Sequence, residues 1–103
     1  MLFRSEKAMG LSVLPLTPQI SRQLGASEST RGLVVSVVDG SSDAGAKGLQ
    51  RGDIILSANY RDVTSVADLE AAVRTARSSN RPAVLLRIQR RGQPAGYIPI
   101  RLR

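Results

Sequence analysis

Catalysis near neutral pH needs a nucleophile or a proton carrier, and these 103 residues offer few. The chain has no histidine and no cysteine. That removes the usual general base, any Ser-His-Asp arrangement, thiolate nucleophiles and cysteine-bound zinc. A serine activated by lysine would need a buried lysine beside it, and Lys7 and Lys47 both sit in polar, loop-like sequence. The most prominent carboxylate is Asp53 in "KGLQRGDIILSAN" (47–59), behind two glycines and directly before the apolar run Ile54-Ile55-Leu56. As a catalytic acid it lacks a partner, because Asp43 and Asp62, its nearest neighbours among the acids, belong to no motif. As part of an "RGD" adhesion tripeptide it is a three-residue match of the kind that recurs by chance. The plainer role is a turn. Gly48 and Gly52 accept positive φ, Leu49 can point inward between them, and the Asp53 carboxylate can accept bonds from nearby backbone amides. No catalytic residue, metal site or cofactor is expected in this chain.

The other chemical feature is charge. Through Glu70 the chain carries seven Lys/Arg against eight Asp/Glu; after it come eight arginines and no acid, for a net charge of +7. Such asymmetry is a hint of an anionic partner such as phospholipid or nucleic acid. Nucleic-acid modules interleave aromatic or polar readers with their charges, and only Tyr97 is available here. The arginines are therefore read as a solvated face around a hairpin, with nucleic acid and membrane not expected as partners. No apolar run approaches the ~20 residues of a membrane span. "MLFRSEKAMG" lacks the apolar segment of a signal peptide, so a signal for export would lie outside this sequence.

The elements that must position these residues follow from periodicity and punctuation. A strand is expected in "GLSVLPL" (10–16), cut short by Pro15, then a short helix in "TPQISRQLG" with Thr17 as N-cap, Pro18 at the first turn and Gly25 as C-cap. "GLVVSVV" (32–38) reads as a buried strand ending at Asp39-Gly40. "SSDAGAKGL" reads as one or two helical turns, "DIILSAN" (53–59) as a strand and "NYRD" as a turn. The clearest helix is "SVADLEAAVRTARSS" (65–79), capped by Ser65, with Val66, Leu69, Val73 and Ala76 on one stripe. Strands at 83–90 and 96–102, joined by "RGQPA", complete a single small α+β domain, a partly open barrel of antiparallel strands with helices at its openings.

The stretch "GLQRGDIILSANYRDVTSVADLEAAV" resembles the core of a bacterial PDZ domain. "GLSVLPLTPQISRQLG" followed by "RGLVVSVVDGSSDAGAKGL" is similar to the second, C-terminal PDZ domain of Do-type HtrA serine proteases. The chain departs from the family at Tyr60, where glycine is common, and at "DGSSDAGAKGL", which replaces "GSPAAxAGL". The resemblance implies a PDZ-like small antiparallel β-barrel or sandwich in permuted bacterial order, with one long and one or two short helices. It implies one PDZ domain over residues 1–103, with 1–8 as linker or flexible N-terminus, and "GYIPIRL" as the strand that opens eukaryotic PDZ domains.

Peptide binding by strand addition is implied too, between the strand edge at 11–14 and the long helix. Met9, Gly10 and Leu11 match the family's carboxylate loop and would aim backbone N–H groups at a peptide's terminus. Ser12 and Val13 would continue the groove, faced by Val66, Glu70 and Val73 at i, i+4, i+7. Lys7 or Arg4 would be the basic helper. Glu70 suits an apolar pocket poorly and can instead pair with Arg74; Pro15 limits the added strand to two or three residue pairs. The family's role is protein quality control in the periplasm or cell envelope. There this domain would bind peptides or the protease and other PDZ domains of a homo-oligomeric parent, whose serine endopeptidase domain lies outside the chain. The alternatives are the PDZ domain of a site-2 metalloprotease or secretion component, and an arginine-rich module for anionic surfaces.

Overall fold

The structure, a computed structural model, describes residues 6–102, with side chains from residue 9 onward. The elements run β1 (Glu6–Ala8), β2 (Leu11–Pro15), α1 (Pro18–Gln23), β3 (Leu33–Val38), α2 (Asp43–Ala46), β4 (Ile54–Ala58), β5 (Arg61–Asp62), α3 (Val66–Ser78), β6 (Ala83–Gln89) and β7 (Gly96–Arg101). Among the described residues they form one seven-stranded sheet in the order β1-β2-β3-β4-β6-β7, with β5 attached to β4. Every pairing is antiparallel. The sheet stays open, with β1 and β7 at its ends, yet it curls: Met9 and Gly10 line the same cavity as Arg101 and Leu102. This is the α+β architecture expected from the sequence, as an open rather than closed barrel. No helix among the described residues is long and apolar enough to cross a membrane.

The helix ends are set by their caps. Thr17 Oγ1 accepts from the Ile20 amide at 3.2 Å, with Pro18 at the first helical position. Ser42 caps α2 through the Gly45 amide, and Ser65 caps α3 through the Asp68 amide at 3.1 Å. Asp68 in turn accepts from the Thr64 amide at 3.0 Å, so the return bond of the capping box falls one residue before the N-cap. The bonds from the Ile20, Gly45 and Asp68 amides each satisfy a donor that the first helical turn leaves open. On α3, Val66, Leu69 and Ala76 are buried, and the half-buried Val73 packs against them. Leu69 is fully excluded from water; burial of that kind is worth ~2 kcal/mol and docks the helix onto the sheet.

Two short strands depart from the sequence reading. Arg61–Asp62, read as a turn, pairs with the end of β4 across a two-residue turn in which Asn59 (φ 50°) and Tyr60 (φ 69°) are both left-handed. Asn59 also joins β4 to β6, its Oδ1 accepting from the Leu85 amide at 2.9 Å and its own amide donating to the Leu85 carbonyl at 2.8 Å. At the N-terminus, Glu6–Ala8 belongs to the segment expected to be linker, and it forms β1 instead. The turn Met9-Gly10, with φ 56° and 78°, folds it back so that Glu6, Lys7 and Ala8 face Val13, Ser12 and Leu11. Two left-handed residues in a two-residue loop are the geometry that matches strand twist.

The "GLQRGD" stretch is a turn fastened on three sides. Gly48 (φ 84°) and Gly52 (φ 93°) supply the left-handed positions, and Leu49 is buried. The Gly52 amide donates to the Val35 carbonyl, and the Val35 amide to the Asp53 carbonyl, both at 2.9 Å, which extends the β3–β4 pairing into the turn. Asp53, 5% exposed, accepts from the Gln50 amide at 2.9 Å and from Arg90 Nε at 3.2 Å. Arg90 also donates to the Gly48 carbonyl. Backbone acceptance by Asp53 was legible in the sequence; the ion pair to Arg90, 37 residues away, was not.

Candidate functional site

The residues singled out for a groove lie along β2 and α3, which pack against one another. Leu11 and Val13 are fully buried and share one apolar cluster with Val66 and Leu69, and Met9 and Val73 pack against that cluster. Ser12 lies between them, half-buried, its carbonyl accepting from Ser36 Oγ at 2.9 Å beside a bulge in the β2–β3 pairing. The apolar residues named from the sequence therefore meet in the core, where β2 packs against α3. Glu70 is exposed and makes no ion pair with Arg74 among the described residues. An exposed pair of this kind gains only a few tenths of a kcal/mol over hydration, which is why the sequence spacing alone did not bring it together.

The outer edge of β2, expected to be free, is paired. β3 holds one edge and β1 the other, and α3 packs against β1 as well as β2. Met9 and Gly10 form the turn between β1 and β2, and Gly10 is held close: a β-carbon there would run into the Ser42 side chain. The Gly10 carbonyl accepts from the Asp39 amide at 2.8 Å. Of the two basic helpers considered, Arg4 lies outside the described residues, as does the Lys7 side chain.

The structure supplies a basic group from elsewhere. A cavity of about 380 Å³ beside the Met9-Gly10 turn is lined by Arg77 from the last turn of α3 and Arg101 from β7, with Asp39, Ser41 and Ser42. Arg77 donates to the Leu102 carbonyl at 3.2 Å, which holds it toward this end of the domain. The signal for it was present in the sequence: Val66, Glu70 and Val73 continue at the same spacing to Arg77. Arg101 is positioned by its backbone amide, which donates to Asp43 Oδ2 at 2.8 Å. That bond is the main reason the Asp43 carboxyl is held below its usual range, with the Lys47 ammonium adding to it.

A larger cavity, about 440 Å³, lies on the other flank of α3, against the β4–β5 turn, and mixes Ala71, Ala72 and Thr75 with Asp62, Asp68 and Arg81. Among the described residues no cluster of Asp or Glu could hold a metal ion.

The chain is 38% identical over 84 residues to a DegP-like periplasmic serine endoprotease of Brucella suis biovar 1 (strain 1330), covering 82% of this chain and 14% of that protein. A protein of the same description from Chlamydia muridarum is 38% identical over 72 residues, 70% of this chain and 14% of the relative. The chain thus spans about a seventh of the length of these relatives. Among solved structures, the HtrA3 PDZ domain bound to a phage-derived ligand (FGRWV) superposes with a TM-score of 0.72 at 26% identity, covering 93% of this chain and 84% of that one. The HtrA-type protease AlgW with a decapeptide gives a TM-score of 0.63 at 28% identity, over 94% of this chain and 27% of that one. Residues 2–89 match the PDZ domain family, and the chain belongs to it.

Proposed function

We propose that this domain receives the C-terminal segment of a protein or peptide as an added strand on β2, beneath α3. In this reading it serves a bacterial envelope serine protease of the HtrA type as a non-catalytic regulatory module. The observation that carries the reading is the β2 edge itself. It accepts a strand in this structure, in antiparallel register, opposite the apolar stripe of α3. Strand addition gives affinity through main-chain bonds and leaves selectivity to the pockets for alternate side chains. Met9, Gly10 and Leu11 would take the terminal carboxylate, and Arg77 would supply the positive charge that Lys7 or Arg4 was expected to provide. Peptide ligands on the solved HtrA relatives support peptide binding as the role of the domain.

Pro15 and Glu70 limit the groove. Proline has no N–H to give a partner strand, and an exposed carboxylate beside the groove disfavours acidic ligands. A short, selective site fits a role in regulating or assembling the parent oligomer at least as well as general substrate capture. Isothermal titration with peptides ending in an apolar residue tests the reading. Saturable binding is expected, lost when the terminal carboxylate is amidated and weakened several-fold in Arg77→Ala. Absence of heat at high micromolar peptide, in the wild-type domain and in variants that free the β2 edge alike, would refute it.

A further inference from the structure

We infer that β1 is an internal occupant of the peptide groove, so that the segment leading into the domain competes with any ligand for the edge of β2. This rests on the peptide-binding reading above. Three observations place the segment there. It pairs with Leu11, Ser12 and Val13, the same residues a ligand strand would use. It packs against α3, so this end strand of the sheet lies between β2 and the helix that would face a ligand. It also runs in the ligand's direction. A peptide whose terminus is held at Met9-Gly10-Leu11 would lie antiparallel to β2 with its last residue beside Leu11, and Ala8 stands opposite Leu11 with Glu6 further back. Where a ligand would end in a carboxylate, this chain continues through the Met9-Gly10 turn.

The occupant is built to be displaced. It is three residues long, and Glu, Lys and Ala are among the residues depleted in strands. The turn that returns it keeps Met9 in the left-handed region at φ 56°, a position that non-glycine residues adopt at a cost. Tethering through two residues offsets these weaknesses, because the segment is always at high local concentration. A ligand then has to bind the fraction of molecules in which the segment has left. A closed population of about 90% would weaken apparent affinity about tenfold.

The sequence lacks cysteine, so the pairing can be locked without side reactions. Lys7 and Ser12 face each other one position beyond the pair that closes the turn. Such pairs bring Cα atoms to about 4.5 Å, within reach of a disulfide. In Lys7→Cys/Ser12→Cys, oxidation should weaken binding of an apolar-terminated peptide at least tenfold, and reduction should restore it. Glu6→Pro/Ala8→Pro, which deprives the segment of its strand amides, should tighten binding up to about tenfold and speed hydrogen exchange along β2. Equal affinity of the oxidised and reduced forms would overturn the inference, as would β2 exchange in the wild-type domain as fast as in the proline variant. Slow wild-type exchange that speeds up in the proline variant, with no peptide bound by any form, would support the occupancy and refute the peptide-binding reading instead.

Discussion

Replacing Asp53 tests whether the turn before β4 is held as described. Asp53 is 5% exposed, and its oxygens accept from the Gln50 amide and from Arg90 Nε. Alanine removes both bonds. Hydrogen bonds to a charged group are worth about 1.5–3 kcal/mol, and removing one partner of a buried pair costs about 3–5 kcal/mol. The Arg90 side chain is 34% exposed and keeps its bond to the Gly48 carbonyl, so it is partly rehydrated and the cost falls at the low end. We expect Asp53→Ala to lose about 3 kcal/mol. Asp53→Asn keeps one acceptor oxygen for the Gln50 amide but loses the charge and replaces the second acceptor with an NH2 donor beside Arg90, for about 1–1.5 kcal/mol. With a urea m-value of about 1–1.5 kcal/mol/M for a domain of this size, the alanine variant should unfold roughly 2–3 M earlier. A double-mutant cycle with Arg90→Ala should return a coupling of about 1 kcal/mol or more. Equal losses for alanine and asparagine would show that the Gln50 bond contributes nothing. Losses below about 0.5 kcal/mol in both would refute the buried-pair argument altogether.

Other consequences are checked as directly. Asp43 and Asp68 are held below the usual 3.8, chiefly by the backbone amides of Arg101 and Thr64 respectively. The folded chain therefore binds fewer protons than the unfolded one. The stability this contributes is fully present above about pH 5 and is lost as pH falls through the unfolded value toward the folded ones. Asp43→Asn and Asp68→Asn should each flatten the acid limb of a circular-dichroism melt below about pH 4, and an unaltered limb in both would count against the linkage. Tyr60 is 74% exposed and left-handed at φ 69°, with its ring 5.5 Å from that of Tyr97. A left-handed residue costs about 1–2 kcal/mol and a ring pair returns about 0.5–1.5 kcal/mol. Tyr60→Gly should then raise Tm by about 2–4 °C, whereas a fall would mean that the ring pair outweighs the strain. Gly10→Ala meets both the left-handed φ and the Ser42 side chain, and should destabilise by about 1–2 kcal/mol in urea unfolding; wild-type stability would contradict that packing.

Much of the fold is written in residues that act locally. Thr17-Pro18, Ser65 and the glycines at 48 and 52 each do one job within four residues of themselves, and the structure has a cap or turn at every one. The missed features are of two kinds. β1 and β5 are three and two residues long, too short for any periodicity to show. Arg90–Asp53 and Arg101–Asp43 join residues far apart in sequence, so no local pattern carries them. The arginine excess after Glu70 is for the same reason ambiguous in sequence. Arg90 holds the turn and Arg77 reaches the carbonyl of Leu102, while Arg74, Arg81 and Arg87 are exposed.

For the candidate site, sequence spacing shows which apolar residues meet, and it does not show whether the β2 edge is open. Apolar spacing on α3 and in β2 picked out residues that do meet in one cluster, and the same spacing carried one turn further leads to Arg77. What spacing does not encode is whether the edge of β2 is open, because that depends on the turn at Met9-Gly10 and on a segment with no strand signal. The physical constraint is clear nonetheless. A domain that works by accepting a strand needs an unpaired edge, and unpaired edges invite aggregation. Permanent cover would abolish binding, and no cover would leave the edge exposed to any extended chain. Under the proposal above, three poor strand formers, tethered through a two-residue turn with one strained position, would meet both demands. In the proposed reading, the weak sequence signal at Glu6–Ala8 is what a displaceable cover requires, and a stronger strand former there would close the site.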